Sequence, residues 1–253
     1  MTDDFEKWEG LDATAVAVKI VSAQPEVTRI RLFEPPFPPT AQERLAPSVT
    51  ADDIEDAFNR ALKLREELEI PFWDGALLAA RAHGQAPVGL LSAACYHQSA
   101  QNVQLVEREA ISEETLRAMA ARVSPGRMLA LSSAVDMRDG SMLHIPMLDF
   151  HGLHFPEHLA VAREIIAQLA IEGVLLSSGK SFHFYGEALL PADRLITFLA
   201  RALLFAPLVD HRWVAHQLLE GASALRISSQ DTSGVPPYVV ARVTTHSPAP
   251  HDR

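Results

Sequence analysis

Residues 173–186, GVLLSSGKSFHFYG, spell out a β-hairpin: an apolar strand, a tight turn at Ser178-Gly179-Lys180 and a returning strand. On the return, Ser181, His183 and Tyr185 alternate with Phe182 and Phe184, so the two kinds of side chain are predicted on opposite faces. The phenylalanine face suits a core. The polar face is left available for chemistry.

Outward from this hairpin the pattern is of strands and covering helices. Residues 128–137 and 142–150 read as two strands joined by a turn at Arg138-Asp139-Gly140. Pro156, at a first helical position, begins a helix with Leu159, Ala162, Ile165, Ile166 and Leu169 on one face, ended by Gly173. Pro191 opens a second helix, with Leu195, Phe198, Leu199, Ala202 and Leu203 inward, closed by Pro207. Residues 210–219 suit a short helix, and 225–229 and 238–243 two more strands. The Ser-, Pro- and His-rich tail from Thr244 is expected to fray.

In the N-terminal half, residues 12–33 alternate as strands do, through Val16, Val18 and Ile20 and then Val27, Ile30 and Leu32. Prolines keep 34–39 extended or looped. Thr50 suits an N-cap, followed by a helix carrying Ile54, Phe58, Ala61, Leu64 and Leu68 that ends near Ile70-Pro71. A strand is expected over 88–96. Ser112-Glu113-Glu114 opens a helix that stops before Ser124-Pro125-Gly126. The expected fold is α/β of the α+β kind: an N-terminal α/β unit over 1–125, a sheet-and-helix module over 126–245, and a frayed tail over 246–253.

At 253 residues the chain can bury a sizeable core, and 48% hydrophobic with 21% charged residues is ordinary for a soluble protein. A net charge of −10 argues against a broad basic surface for nucleic acid, though not against a local channel. The single Cys95 excludes an internal disulfide and every multi-cysteine zinc motif, and fits a reducing cytoplasm. The first residues are acidic with no apolar segment behind them, so no export signal is expected. The most apolar run, 195–209, is interrupted by Arg201 and Pro207. The expectation is a cytoplasmic protein with no membrane partner.

Several motifs fail on spacing. Gly179-Lys180-Ser181 is not a phosphate-binding P-loop, because position 174 is Val and a strand follows the Ser where a helix is required. Ser178 and Ser181 lack the flanking glycines of a hydrolase elbow. His151, His154 and His158 could suggest zinc, but Gly152 and Pro156 break regular helical spacing, and exposed histidines at a helix start explain the latter two more simply. Taken singly, Asp149 is a strand-end acid, Asp210 an N-cap, Lys180 a solvated turn lysine and Arg226 a surface cation. His183 is as well explained as a core histidine as a ligand binder.

Their order along the chain says more: a strand with Asp149 and His151, a helix, a glycine turn with Ser181-Phe182-His183, a helix, Asp210, then Leu225-Arg226. This order resembles the catalytic core of the archaeo-eukaryotic primase (primase-polymerase) superfamily, in a divergent, bacterial-type form. That family carries an acid-x-acid motif, a Ser-x-His motif after a glycine turn, a lone Asp, and a later Leu-Arg segment. The resemblance implies an RNA-recognition-like sheet with covering helices, packed on the N-terminal unit. It implies template-directed nucleotidyl transfer with Mg or Mn, a nucleoside triphosphate, and DNA or RNA. By it, Asp149, His151 and Asp210 would be the catalytic, metal-holding residues, and Ser181, His183, Lys180 and Arg226 would grip the nucleotide.

The chain departs from the family pattern at His151, which stands in the place of the second acid. Imidazole is neutral and prefers softer metals than Mg, so the site uses Mn, uses one metal, or no longer polymerises. Two alternatives follow: a silent primase-fold module that binds or assembles with nucleic acid, or a metal-dependent hydrolase using Asp149, His151, Asp210 and His183 with Mn or Zn.

Overall fold

A computed structural model describes residues 5–45, 51–84, 89–97, 99, 102–229 and 235–244. The Asp12 carboxylate accepts the Ala15 N–H and starts helix α1 (Ala13–Ser22). A strand was expected here. The fully buried residues Ala13, Val16, Ala17 and Ile20 instead follow i, i+3, i+4, i+7 spacing, and a side-chain cap adds to that pattern. Strand β1 (Val27–Phe33) follows as expected.

Four helices come next: α2 (Ala41–Leu45), α3 (Ala51–Leu68), α4 (Phe72–His83) and α5 (Leu90–Ala94). The expected helix is α3, while its anticipated cap, Thr50, lies outside the described residues. The strand expected over 88–96 is replaced by α5, which buries Leu90, Ala93 and Ala94 at helical spacing; Val88 is outside the described residues. Leu45, Ala61, Ala76, Leu90 and Ala93 form a small core of their own.

Beyond these helices lies β2 (Gln104–Glu107), then α6 (Glu113–Ala121), whose cap Ser112 accepts the Thr115 N–H. Strand β3 (Ala130–Met137) is as read. The strand expected over 142–150 is two strands, β4 (Met142–His144) and β5 (Met147–Asp149), which belong to different sheets. Pro146 between them has no N–H for a ladder; its carbonyl accepts from Gly186.

Helix α7 (Leu159–Leu169) starts after Pro156 rather than at it. It ends at Ala170, in the left-handed conformation, whereas Gly173 opens β6 (Gly173–Ser177). A Cβ at Gly173 would lie 2.1 Å from the Tyr185 carbonyl oxygen, so close strand approach requires glycine there. Strand β7 (Phe182–Gly186) completes the hairpin. Pro191 caps α8 (Ala192–Ala202), Asp210 caps α9 (His211–Glu220), and β8 (Ala224–Arg226) and β9 (Tyr238–Val243) follow.

Two compact units divide the chain: Met1–Pro36 with Ala100–Arg253, and Phe37–Ser99. The boundary expected near residue 125 falls inside the first unit, because β1 pairs with both β2 and β3. In that unit one sheet runs β2-β1-β3-β4, with β8 also on β3, and the other runs β5-β7-β6-β9. The pairings are antiparallel. One core joins Met147, Val174, Leu176 and Tyr185 of the second sheet to Ile30, Leu131 and Val135 of the first and to α1. A second core packs Leu148, Leu175, Phe182 and Phe184 beneath Ile165 and Ile166 of α7 and Leu195, Phe198 and Leu199 of α8. The mixed architecture and the helix-covered second sheet match the expected fold class. Among the described residues, no helix is long and apolar enough to cross a membrane.

Candidate active site

The two faces of β7 part as their alternation dictates. Phe182 and Phe184 are fully buried under the helices. On the other face Ser181 Oγ, His183 Nδ1 and the Tyr185 hydroxyl are buried and have no hydrogen-bond partner among the described residues. Buried polar atoms are nearly always paired, and three unpaired ones in register along one strand face mark it as unlike ordinary core.

The rest of the constellation is assembled by strand pairing. Asp149, the last residue of β5, is the cross-strand partner of His183, and its Oδ1 stands 3.6 Å from His183 Nε2. Asp210 is brought alongside by its own N–H, which donates to the Asp149 carbonyl at 3.0 Å, and by the neighbouring Phe150–Val209 bridge. Asp210 Oδ1 accepts from Arg212 and Trp213 at the start of α9, so its role as a cap is realised as well.

The electrostatics record this crowding. Burial first, and then the Asp210 carboxylate, push the Asp149 carboxyl well above the usual carboxylate range, against the opposing pull of Arg226. Burial, with the Arg226 charge second, lowers His183 to about 3, so at neutral pH the 3.6 Å contact joins a neutral imidazole to a carboxyl group biased toward its protonated form. Burial likewise raises the Tyr185 phenol, which stays a donor at any working pH.

Arg226, at the end of β8, reaches across to the hairpin turn. Its guanidinium donates to the Ser178 carbonyl and, at 3.0 Å, to that of Ser228. The turn is tightened from within by Ser178, whose N–H and hydroxyl both donate to the Ser181 carbonyl, and Gly179 there has a φ of +90°. Lys180 is exposed at the tip.

Asp149, His183, Asp210 and Arg226 therefore gather around the Ser181 face. His151 does not join them by any hydrogen bond or ion pair among the described residues; its N–H donates to the Leu208 carbonyl where β5 has already ended. His154 and His158 pair with each other through a 3.0 Å bond from the His154 N–H to His158 Nδ1. Sequence reasoning placed Ser178 in the turn and Tyr185 in the polar row but gave neither a role in the site. Tyr185 continues the alternating row, which is the one signal that could have found it.

A family model described as archaeo-eukaryotic primase 1D-like matches residues 107–238. The chain belongs to that family. The matched span holds Asp149, His151, Lys180, Ser181, His183, Asp210 and Arg226, but not α1 and β1, which complete the first core and sheet. No curated protein and no solved structure matches the chain.

The primase family implies a divalent cation. Asp149 and Asp210 carry hard carboxylate oxygens, the donor type that Mg and Mn take. Asp210 Oδ1 already accepts two N–H groups, leaving Oδ2 the less committed oxygen. Among the described residues, no group of three or more His, Cys, Asp or Glu is arranged to hold a metal on its own, so the protein would supply only part of the coordination shell. Mg sites built from one or two carboxylates are commonly completed by water and substrate phosphate.

Proposed function

We propose that this primase-family chain binds a nucleoside triphosphate together with Mg or Mn on the polar face of the second sheet and transfers nucleotidyl units on DNA or RNA. The observation that supports this most is the meeting of Asp149, His183 and Asp210 through one register pair and one backbone hydrogen bond, on a face where Ser181 Oγ, His183 Nδ1 and the Tyr185 hydroxyl have no hydrogen-bond partner among the described residues. Asp149 and Asp210 would hold the cation, which supplies charge neutralisation at the phosphate oxygens. Ser181 and the neutral His183 would orient the triphosphate by hydrogen bonds. Lys180 would add charge at the exposed turn, and Arg226 would contribute while holding the turn in place.

Calorimetric titration of the chain with GTP in the presence of Mn tests the reading. Triphosphate binding that requires Mn is expected, and Asp149→Ala should weaken it at least tenfold, as loss of a cation-holding carboxylate does. A wild-type chain that takes up neither Mn nor GTP at millimolar concentration sinks the proposal.

A second reading, a silent module of the same fold, is favoured by His151 in the place of an acid and by the incomplete metal set. His151→Asp distinguishes the two. A weakened but surviving polymerase should gain roughly tenfold in Mg-supported primer extension, the return of one charge to the site. A chain that extends no primer before or after the change is the silent module.

A further inference from the structure

The row on β7 is graded. Lys180 at the turn is exposed, Ser181 is half-buried, His183 is 5% exposed and Tyr185 is fully buried. The character of the surroundings changes in step. Beside the turn stand Lys180 and the Arg226 guanidinium on the Ser178 carbonyl; beside Tyr185 the cross-strand neighbours are the apolar Met147 and Val174. Ser181 and Tyr185 are four residue steps apart on an extended chain, roughly 13 Å, comparable to the reach of a triphosphate with its sugar. A cationic, open end and an apolar, closed end with one hydroxyl donor are not interchangeable sites for the two ends of such a ligand.

Resting on the nucleotide-binding reading above, we propose that this gradient fixes the direction in which the ligand lies: phosphates toward the Gly179–Lys180 turn, sugar toward Tyr185, with the Tyr185 hydroxyl hydrogen-bonding a sugar hydroxyl. Tyr185 is then a specificity residue. Its hydroxyl is buried without a hydrogen-bond partner among the described residues, and strand alternation puts Tyr185 on the same face of β7 as His183, the cross-strand partner of Asp149. Its ring is packed in the first core, which holds the hydroxyl in one place. Phenylalanine there keeps the ring and removes only the oxygen.

The test uses the full chain with Mn and three probes: GTP, its 2′,3′-dideoxy analogue, and inorganic tripolyphosphate. Wild type is expected to bind GTP about tenfold more tightly than the dideoxy analogue, the difference one good hydrogen bond makes. Tyr185→Phe should abolish that difference and leave tripolyphosphate affinity unchanged, with thermal unfolding confirming an intact fold. Lys180→Ala should weaken all three probes alike. If Tyr185→Phe weakens tripolyphosphate as much as GTP, the direction is reversed and the inference is overturned. If wild type binds GTP and the variant discriminates as wild type does, the inference fails while nucleotide binding stands. If wild type binds none of the three, the functional reading falls, and the inference with it.

Discussion

The two faces of β7 make different demands on the same five residues. Phe182 and Phe184 are buried in one apolar core with residues of α7 and α8. His183 and Tyr185 are buried nearly as deeply, yet His183 Nδ1 and the Tyr185 hydroxyl have no hydrogen-bond partner among the described residues. The first face lowers the free energy of the fold. The second raises it, since a buried, unpaired polar group costs on the order of 1–3 kcal/mol. Proteins tolerate such groups where a ligand restores the missing partner, so the contrast separates the stabilising half of this strand from the working half.

The largest expected effect comes from damaging the stabilising face. Phe184→Ala opens a cavity beneath the helices and should cost about 3–5 kcal/mol, read as a lower urea midpoint. A loss under 1 kcal/mol would show that this face does not carry the fold.

On the polar face the effect is pH-dependent. His183 titrates near 3 in the folded chain and near 6.5 when unfolded, so between those values the unfolded chain binds more protons. Its contribution is therefore fully present above about pH 6.5 and is lost as pH falls toward 3, with a slope of at most about 1.4 kcal/mol per pH unit. His144, also lowered by burial and by Arg31, adds to the same trend. Urea unfolding at pH 7.5, 6.5, 5.5 and 4.5 should show the wild type losing stability more steeply than His183→Asn. Parallel curves would mean that His183 is hydrated rather than enclosed.

How much of this was legible depended on whether the cause was local. The hairpin was readable because turn and alternation lie within residues 173–186, and Asp210 read as a cap because the helix it serves begins at the next residue. Helix α1 was misread because its valines and isoleucine suit either period until burial shows that Val18 is only partly enclosed. The division of 142–150 between two sheets turns on which distant strands accept Met142 and Met147. No pattern inside the segment carries that. Asp149 and His183 could be suspected together from motif order, but their 3.6 Å contact follows from a register that exists only once β5 and β7 pair. Tyr185 stood in plain view in the alternation, yet what makes it unusual, a buried hydroxyl without a hydrogen-bond partner among the described residues, belongs to three dimensions.

The smallest predicted change is the one that sets the two faces most directly against each other. Asp149 is pushed toward its protonated form by burial and by Asp210, and a carboxyl group raised in this way contributes stability that is present below about pH 3.8 and lost as pH rises through its folded value. At neutral pH the ionised form is thus a burden on the ligand-free fold. Asp149→Asn removes the charge and keeps the shape, so the free chain should become more stable at pH 7 by on the order of 1 kcal/mol, the usual size of a stabilising substitution, while Mn-dependent GTP binding is lost. A gain in stability together with a loss of binding is the signature of a residue kept for its ligand. Loss of both would make Asp149 structural, an ordinary strand-end acid, and would move the working half of β7 away from β5 altogether.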